Sequence, residues 1–282
     1  MTEKVLIMAS INELILNIKQ EKVAASGRTV LMVEGPDDVL AFSNFLQKIN
    51  ANWELSWILE CAGNKRNVLE ILRKEPDWLG IVDRDEWDDA RIQQITDDYD
   101  NAIVLPRFCI ESYLVVPTEL WHAIPENMRA AVAGGEQGFI QRLTQNQDKW
   151  LSHAALWAVI NPLWEGLRAL GFKEALLEPA IANDLEQIAE KLQNWHNYLE
   201  PDQLIVQIAA KKEEFSSLDF NELLRFFVHG KHFFNEVVHQ EFCQSFGTVS
   251  ASKRKTNIFS TLPVPDDLTD IWERMNLLPE DN

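Results

Sequence analysis

The chain has 282 residues, 46% hydrophobic and 25% charged, with 44 Asp and Glu against 26 Lys and Arg for a formal charge of −18. This composition is ordinary for a folded chain of about two domains and excludes disorder over most of its length. The charge argues against a broad basic surface for nucleic acid, and the longest apolar run, residues 154–160, is far short of the ~20 residues that span a bilayer.

Residues 5–9 are apolar but are interrupted at once by Ser10, Asn12 and Glu13, too soon for a secretion signal. The expectation is a cytoplasmic protein without a membrane span. Ile7, Ile11, Leu14, Ile15 and Ile18 predict a helix over residues 7–25, ended by Ser26-Gly27. Residues 29–33 read as a first strand, followed by a helix over 37–49. A second strand is expected over 55–59, a helix opening at Gly63-Asn64, a third strand over 79–82 and a fourth over 102–105. Strands alternating with helices predict βαβ crossovers and a parallel sheet.

Beyond Pro117 the strand signal fades. Helical patterns run over 120–133, 139–143, 151–170, 184–199, 204–215 and 220–239, with one or two amphipathic turns within 266–282. Abundant Trp in this half is expected at helix contacts. The organisation expected is an N-terminal helix (1–26), an α/β domain (27–118) and a helical appendage completing the site (119–282). Three scattered cysteines, Cys61, Cys109 and Cys243, form no C-x-x-C pair and read as core thiols.

Acid is concentrated: ten Asp and Glu and two Arg lie within residues 75–100. Function in an open parallel sheet collects at the carboxyl ends of its strands. There the first strand delivers Glu34, then Gly35-Pro36-Asp37-Asp38, with Asp37 read as capping the next helix or complementing its dipole. The third delivers Asp83 and Asp85, two apart and therefore on one side of an extended backbone. The fourth leads to Glu111, a lone acid in an apolar stretch. Adjacent carboxylates repel, by several-fold more where water is excluded. A divalent cation such as Mg²⁺ offsets that repulsion directly.

Leu31-Met32-Val33-Glu34-Gly35-x-x-Asp38, the strand-to-helix turn at 63–68 and Gly80-Ile81-Val82-Asp83-Arg84-Asp85 resemble the TOPRIM domain of topoisomerases, bacterial primases and nucleases associated with OLD-type ATPases. The resemblance covers about residues 28–115. Ile110-Glu111-Ser112-Tyr113-Leu114 and His229-Gly230-Lys231-His232 resemble a TOPRIM-like family found beside ABC-type ATPases, including the effector half of the PARIS anti-phage system. The resemblance implies a TOPRIM-like sheet of about four strands and a Mg²⁺-dependent nuclease of prokaryotic defence, governed by an ATPase partner. Asp38 occupies the position of the family's second acid. Asp88 and Asp89 stand near its further acids at a different spacing.

Two-metal cleavage of a phosphodiester needs several carboxylates around ions ~3.5–4 Å apart. Glu34 is expected as bridging ligand or general base, Asp83 and Asp85 as principal ligands, Asp38 and Glu111 at a second site, with Mg²⁺ or alternatively Mn²⁺. Lys231 is the expected catalytic cation, aimed by a helix break at Gly230. Lys65 and Arg66, at a helix start, are expected to contact substrate phosphates. Arg73, Lys211, Lys212 and Lys253-Arg254-Lys255 are candidates for a wider basic track. His229 and His232 could share one helix face as a zinc pair, although no third soft ligand is near in sequence. The expected substrate is DNA or RNA, including tRNA. A homodimer is one way to complete a channel. Two rival classes are a regulatory or scaffold subunit that no longer cuts, and a strand- or nucleotidyl-transferase, which lacks its usual accompanying modules here.

Overall fold

The alternating pattern becomes a four-stranded, all-parallel sheet in the computed structural model of the protein, which describes residues 10–24, 26–172 and 183–278. The apolar start at residues 5–9, Ile7 and Ala25 of the first predicted helix, and residues 279–282 lie outside the described residues. The strands are β1 (Thr29–Val33), β2 (Trp57–Cys61), β3 (Leu79–Val82) and β4 (Ala102–Val104), in the order β2-β1-β3-β4. Leu31 stands beside Leu59 on one side and Leu79 on the other. From β1 the chain moves outward to β2, then returns to the opposite side for β3. That reversal opens a crevice at the carboxyl ends of β1 and β3, where such sheets bind ligands.

β2 begins two residues later than its apolar pattern suggests, because Trp53–Leu55 closes a 3-10 turn and buries Trp53. One sheet face, with Val30, Met32, Ile58 and Val82, packs on α1 (Ile11–Ile18), α3 (Lys65–Lys74) and α4 (Asp89–Asp98). Contact with α3 is tight: a Cβ on Gly80 would stand 2.7 Å from Leu72 and 2.8 Å from Val68. Only a residue without a side chain fits there. The other face, with Leu31, Val33, Ile81 and Ile103, packs on α2 (Pro36–Ile49) through Phe42 and Phe45.

After β4 a 3-10 turn, Ile110–Leu114, leads into α5 (Pro117–Ala123), α6 (Glu126–Arg129), α7 (Gly135–Leu143), α8 (Gln147–Ile160) and α9 (Leu163–Ala169). Then come α10 (Leu185–Tyr198), α11 (Pro201–Ser216), α12 (Phe220–Phe226) and α13 (Gly230–Phe233). A π turn over Phe234–Val238 joins α13 to α14 (His239–Phe246), followed by α15 (Ala251–Thr261) and α16 (Thr269–Arg274). The helices expected over 120–133 and 151–170 are each divided, at Pro125 and Pro162, since proline cannot continue an i→i−4 ladder. The helix expected over 220–239 breaks at Phe227-Val228-His229.

Of these helices, α5, α7, α8 and α11 to α16 join the cluster on the second sheet face, whereas α9 and α10 bury Leu167 and Trp195 outside it. One hydrophobic cluster runs from Leu31 and Val33 through Phe45 and Tyr113 to Phe259 and Trp272. Edge-on ring contacts of Phe45 with Tyr113 and Phe259 carry it across. Trp121, Trp150, Trp195 and Trp272 are buried, as expected of helix contacts, whereas Trp164 is half exposed. No described helix is long and apolar enough to cross a membrane.

Candidate functional site

The acids after β1 and β3 lace the strand ends together. Glu34 Oε1 accepts the Asp83 N–H at 2.8 Å, tying the end of β1 to the end of β3. Asp83 Oδ1 in turn accepts the Ile110 N–H at 3.1 Å, which ties β3 to the 3-10 turn that carries Glu111. Beside it, the Asp85 N–H donates to the Phe108 carbonyl at 2.7 Å. Asp85 has φ +50°, a left-handed conformation that Asp tolerates better than most residues. Its convergence with Asp83 therefore comes from a turn after Val82, not from alternation along an extended strand.

Asp38, in the first turn of α2, accepts the Gly35 N–H at 2.9 Å. Asp38, not Asp37, closes the cap; Asp37 stands in the acidic first turn, where it complements the helix dipole, and pairs with Lys255 at 2.7 Å.

The charges of these side chains act on one another. Burial pushes the Asp83 carboxyl well above its ordinary range, and the charges of Asp38, Glu34, Asp85 and Glu111 push it further. Asp38 is pushed up to about 7, by burial first and then by Glu34, while the Gly35 N–H opposes the rise. Burial also raises Glu34; the Lys65 charge and the Asp83 N–H resist it, and Asp85 adds to it. The five acids singled out in the sequence thus surround the ends of β1 and β3 and the turn after β4, with Asp83 in the field of the other four.

Two lysines pair with these acids. Lys65 Nζ bonds Asp85 Oδ2 at 2.6 Å and sits 4.0 Å from the centre of the Trp87 ring. Lys255 Nζ bonds Glu111 Oε1 at 2.8 Å as well as Asp37. Burial opposes the Lys255 charge, yet Glu111 and Asp37 outweigh it and raise its pKa. Sequence reasoning placed Lys255 on a surface track with Lys253 and Arg254. The structure corrects this: Lys255 and Arg254 are buried, and Arg254 Nη2 bonds the Gly247 carbonyl at 2.7 Å. The available signal was Ile258 and Phe259, three and four residues on, which place Lys255 on the apolar stripe of α15.

Lys231 stands exposed in the first turn of α13, and Arg66 is exposed beside Lys65. Gly230 serves close approach: a Cβ there would lie 2.8 Å from the Ser112 nitrogen and 2.9 Å from the Glu111 carbonyl carbon. His229 packs on Trp157 and His232, with ring centres 4.4 and 4.6 Å away. Burial and the His232 charge lower its pKa, against the pull of Glu111 and Asp85. Glu86 is a further acid the sequence reading passed over. Asn161 donates to its Oε2 at 2.8 Å, its Oε1 is enclosed without a partner among the described residues, and burial raises its pKa. Asp88 caps α4 and Asp89 pairs with Arg84, and both line a cavity with Asp85 and Glu86. Cys109 is buried with its thiol pushed up by that burial, and Cys61 and Cys243 are half-buried free thiols.

The donor set is all hard oxygen, which suits Mg²⁺ or Mn²⁺ rather than zinc. Among the described residues, however, no three His, Cys, Asp or Glu side chains already stand at ligand spacing around one point. Each of the five acids instead bonds a protein N–H or a lysine. No protein-family model and no curated protein matches the chain.

Proposed function

We propose that the chain is a divalent-cation-dependent phosphodiesterase acting on nucleic acid. More narrowly, it is a TOPRIM-type endonuclease that works with an ABC- or OLD-type ATPase in anti-phage defence. The observation that carries the reading is the Asp83 carboxyl, which lies within the field of Asp38, Glu34, Asp85 and Glu111 at the switch point of a parallel sheet. Such mutual repulsion is costly unless a cation relieves it. Glu34, Asp38, Asp83, Asp85 and Glu111 would hold Mg²⁺, or Mn²⁺. When bound, the ion supplies charge for the phosphoryl oxygens and lowers the pKa of a water. The chain's own part is to hold the acceptor oxygens in place through the Asp83, Ile110 and Gly35 N–H groups. Lys65 and Arg66 meet the phosphate, and Lys231 is the candidate transition-state cation from α13.

A second reading is a TOPRIM-like regulatory or scaffold subunit that binds the ATPase without cutting. It is favoured by Lys65 and Lys255, which already neutralise Asp85 and Glu111, and by the absence of a ready three-ligand set among the described residues. The discriminating experiment incubates the full chain, with and without the ATPase, with DNA, RNA and tRNA in Mg²⁺ and in EDTA. Cleavage in Mg²⁺ that stops in EDTA, and falls at least ~100-fold in Asp83→Asn and Glu34→Gln, supports the enzyme. Unchanged cleavage in those variants removes the site assignment. No cleavage under any condition, with the ATPase still bound, favours the scaffold.

A further inference from the structure

Beside the acids, but not made of them, a groove of ≈ 600 Å³ opens between α3, α4 and α9. Its walls carry Lys65, Arg66, Arg73, Lys74, Arg91 and Arg168 against two carboxylates, Glu70 and Glu165. In a chain with 44 acids and 26 bases, the sign of the surface is locally inverted.

The way these cations are held matters as much as their number. Arg73 Nη2 donates to the Tyr99 hydroxyl at 2.6 Å, with its guanidinium carbon 5.5 Å from the centre of that ring. Arg91 lies 5.6 Å from the centre of the Trp87 ring, whose face also carries Lys65. Arg168 lies 5.4 Å from the Trp164 ring centre. Arg84, Arg107, Arg142 and Arg225 each meet a carboxylate. Among the described residues, Arg66, Arg73, Arg91 and Arg168 do not. An aromatic face fixes a guanidinium without cancelling its charge, and leaves N–H groups free for an incoming anion. A planar guanidinium matches a phosphate with two parallel hydrogen bonds.

Length and position narrow the ligand. From Lys65 to Arg73 the wall runs about 12 Å at 1.5 Å per residue, room for more than one backbone phosphate. Lys65 belongs to both places, since its ammonium bonds Asp85 and its side chain lines the groove.

We propose that this groove is the track for a nucleic-acid strand, gripped through its phosphates and led past Lys65 to the acid centre. The choice of a nucleic acid rests on the phosphodiesterase reading of that centre. The affinity for a chain of phosphates rests on the groove alone.

The test is binding of a labelled oligonucleotide, single-stranded and duplex, to the full chain in EDTA. The absence of divalent metal separates binding from cleavage. Affinity is measured between about 50 and 200 mM salt, where it should fall linearly on a log–log plot. The triple variant Arg73→Gln/Arg91→Gln/Arg168→Gln is expected to bind at least ~10-fold more weakly, with a slope shallower by about 2 for a single strand. The corresponding Arg→Lys triple should restore the slope, which shows that the Gln variant lost charge and not its fold. Asp83→Asn should bind at least as well as the native chain. No binding by the native chain in EDTA, or a Gln triple with unchanged affinity and slope, overturns the groove. So does inorganic phosphate or an acidic peptide competing as well as the oligonucleotide. Groove-dependent binding without cleavage in Mg²⁺, with and without the ATPase, leaves the track standing and removes the phosphodiesterase. Cleavage by the Gln triple with unchanged KM does the reverse.

Discussion

Asp38 illustrates what an acid cluster does to the residues that build it. Its pKa rises from 3.8 to about 7 on folding, through burial and the neighbouring Glu34 charge. The folded chain therefore keeps a proton that the unfolded chain releases. The stability linked to that proton is fully present below the unfolded value and is lost as pH rises through about 7. Asp38→Asn keeps an acceptor for the Gly35 N–H and cannot ionise. It should raise the urea midpoint at pH 8 in EDTA and leave it nearly unchanged at pH 4. A tenfold change in proton affinity corresponds to about 1.4 kcal/mol, and here the neighbouring acids share in it. An equal difference at both pH values would remove repulsion as the cause. By the same linkage, Mg²⁺ should raise the melting temperature more at pH 8 than at pH 6, because its ligands must first lose their protons.

Lys255 makes the converse argument. It lies buried against Glu111, 144 residues away in sequence. Lys255→Met leaves Glu111 enclosed and unpaired, a change that costs about 3–5 kcal/mol in comparable pairs. The double variant Lys255→Met/Glu111→Gln should recover part of that loss in urea unfolding. If the single and double variants unfold alike, the pair contributes nothing to the fold. Glu34 and Glu111 stood out in the sequence as lone carboxylates at or within apolar runs and Asp83 and Asp85 as a pair ending a strand, whereas Asp38 rested on the family resemblance alone. Lys255 did not stand out, because its partner is set by tertiary packing and its Lys-Arg-Lys context imitates an exposed run.

At the scale of elements, α13 is pressed against the turn that carries Glu111. Gly230 leaves no room for a Cβ, and both near atoms are backbone, which cannot rotate aside. Gly230→Ala should lower the unfolding free energy by about 1–3 kcal/mol. Because the same turn offers the Ile110 N–H to Asp83, it should also reduce Mg²⁺-dependent cleavage. An unchanged urea midpoint would mean that α13 yields freely. The strands were legible because they are short apolar runs ended by turn residues, and β1 and β3 fall where the pattern puts them. α4 and α15 escaped notice because their exposed faces are polar and only one narrow stripe of each is buried. The long helices predicted across Pro125 and Pro162 show apolar spacing continuing through a chain that proline has already bent.

For the molecule as a whole, composition suggests an α/β unit followed by an appendage, but the packing joins them. Leu31, Val33 and Phe45 from the sheet side belong to one cluster with Phe259, Ile271 and Trp272, from the last two helices. Lys48 Nζ adds bonds to the carbonyls of Phe259 and Leu262, at 2.7 and 2.6 Å. A fragment of residues 1–118 would keep the face covered by α1, α3 and α4 but leave the other face to α2 and the 3-10 turn alone, and would leave Glu111 without Lys255. It should therefore lack a sigmoidal urea transition and a near-ultraviolet circular dichroism signal, while the full chain shows both. A fragment that unfolds cooperatively by itself would mean that the sheet carries its own complete core. In that case the acid pocket would form without α15, and the buried Lys255–Glu111 pair would be an addition to a finished site rather than a part of its construction.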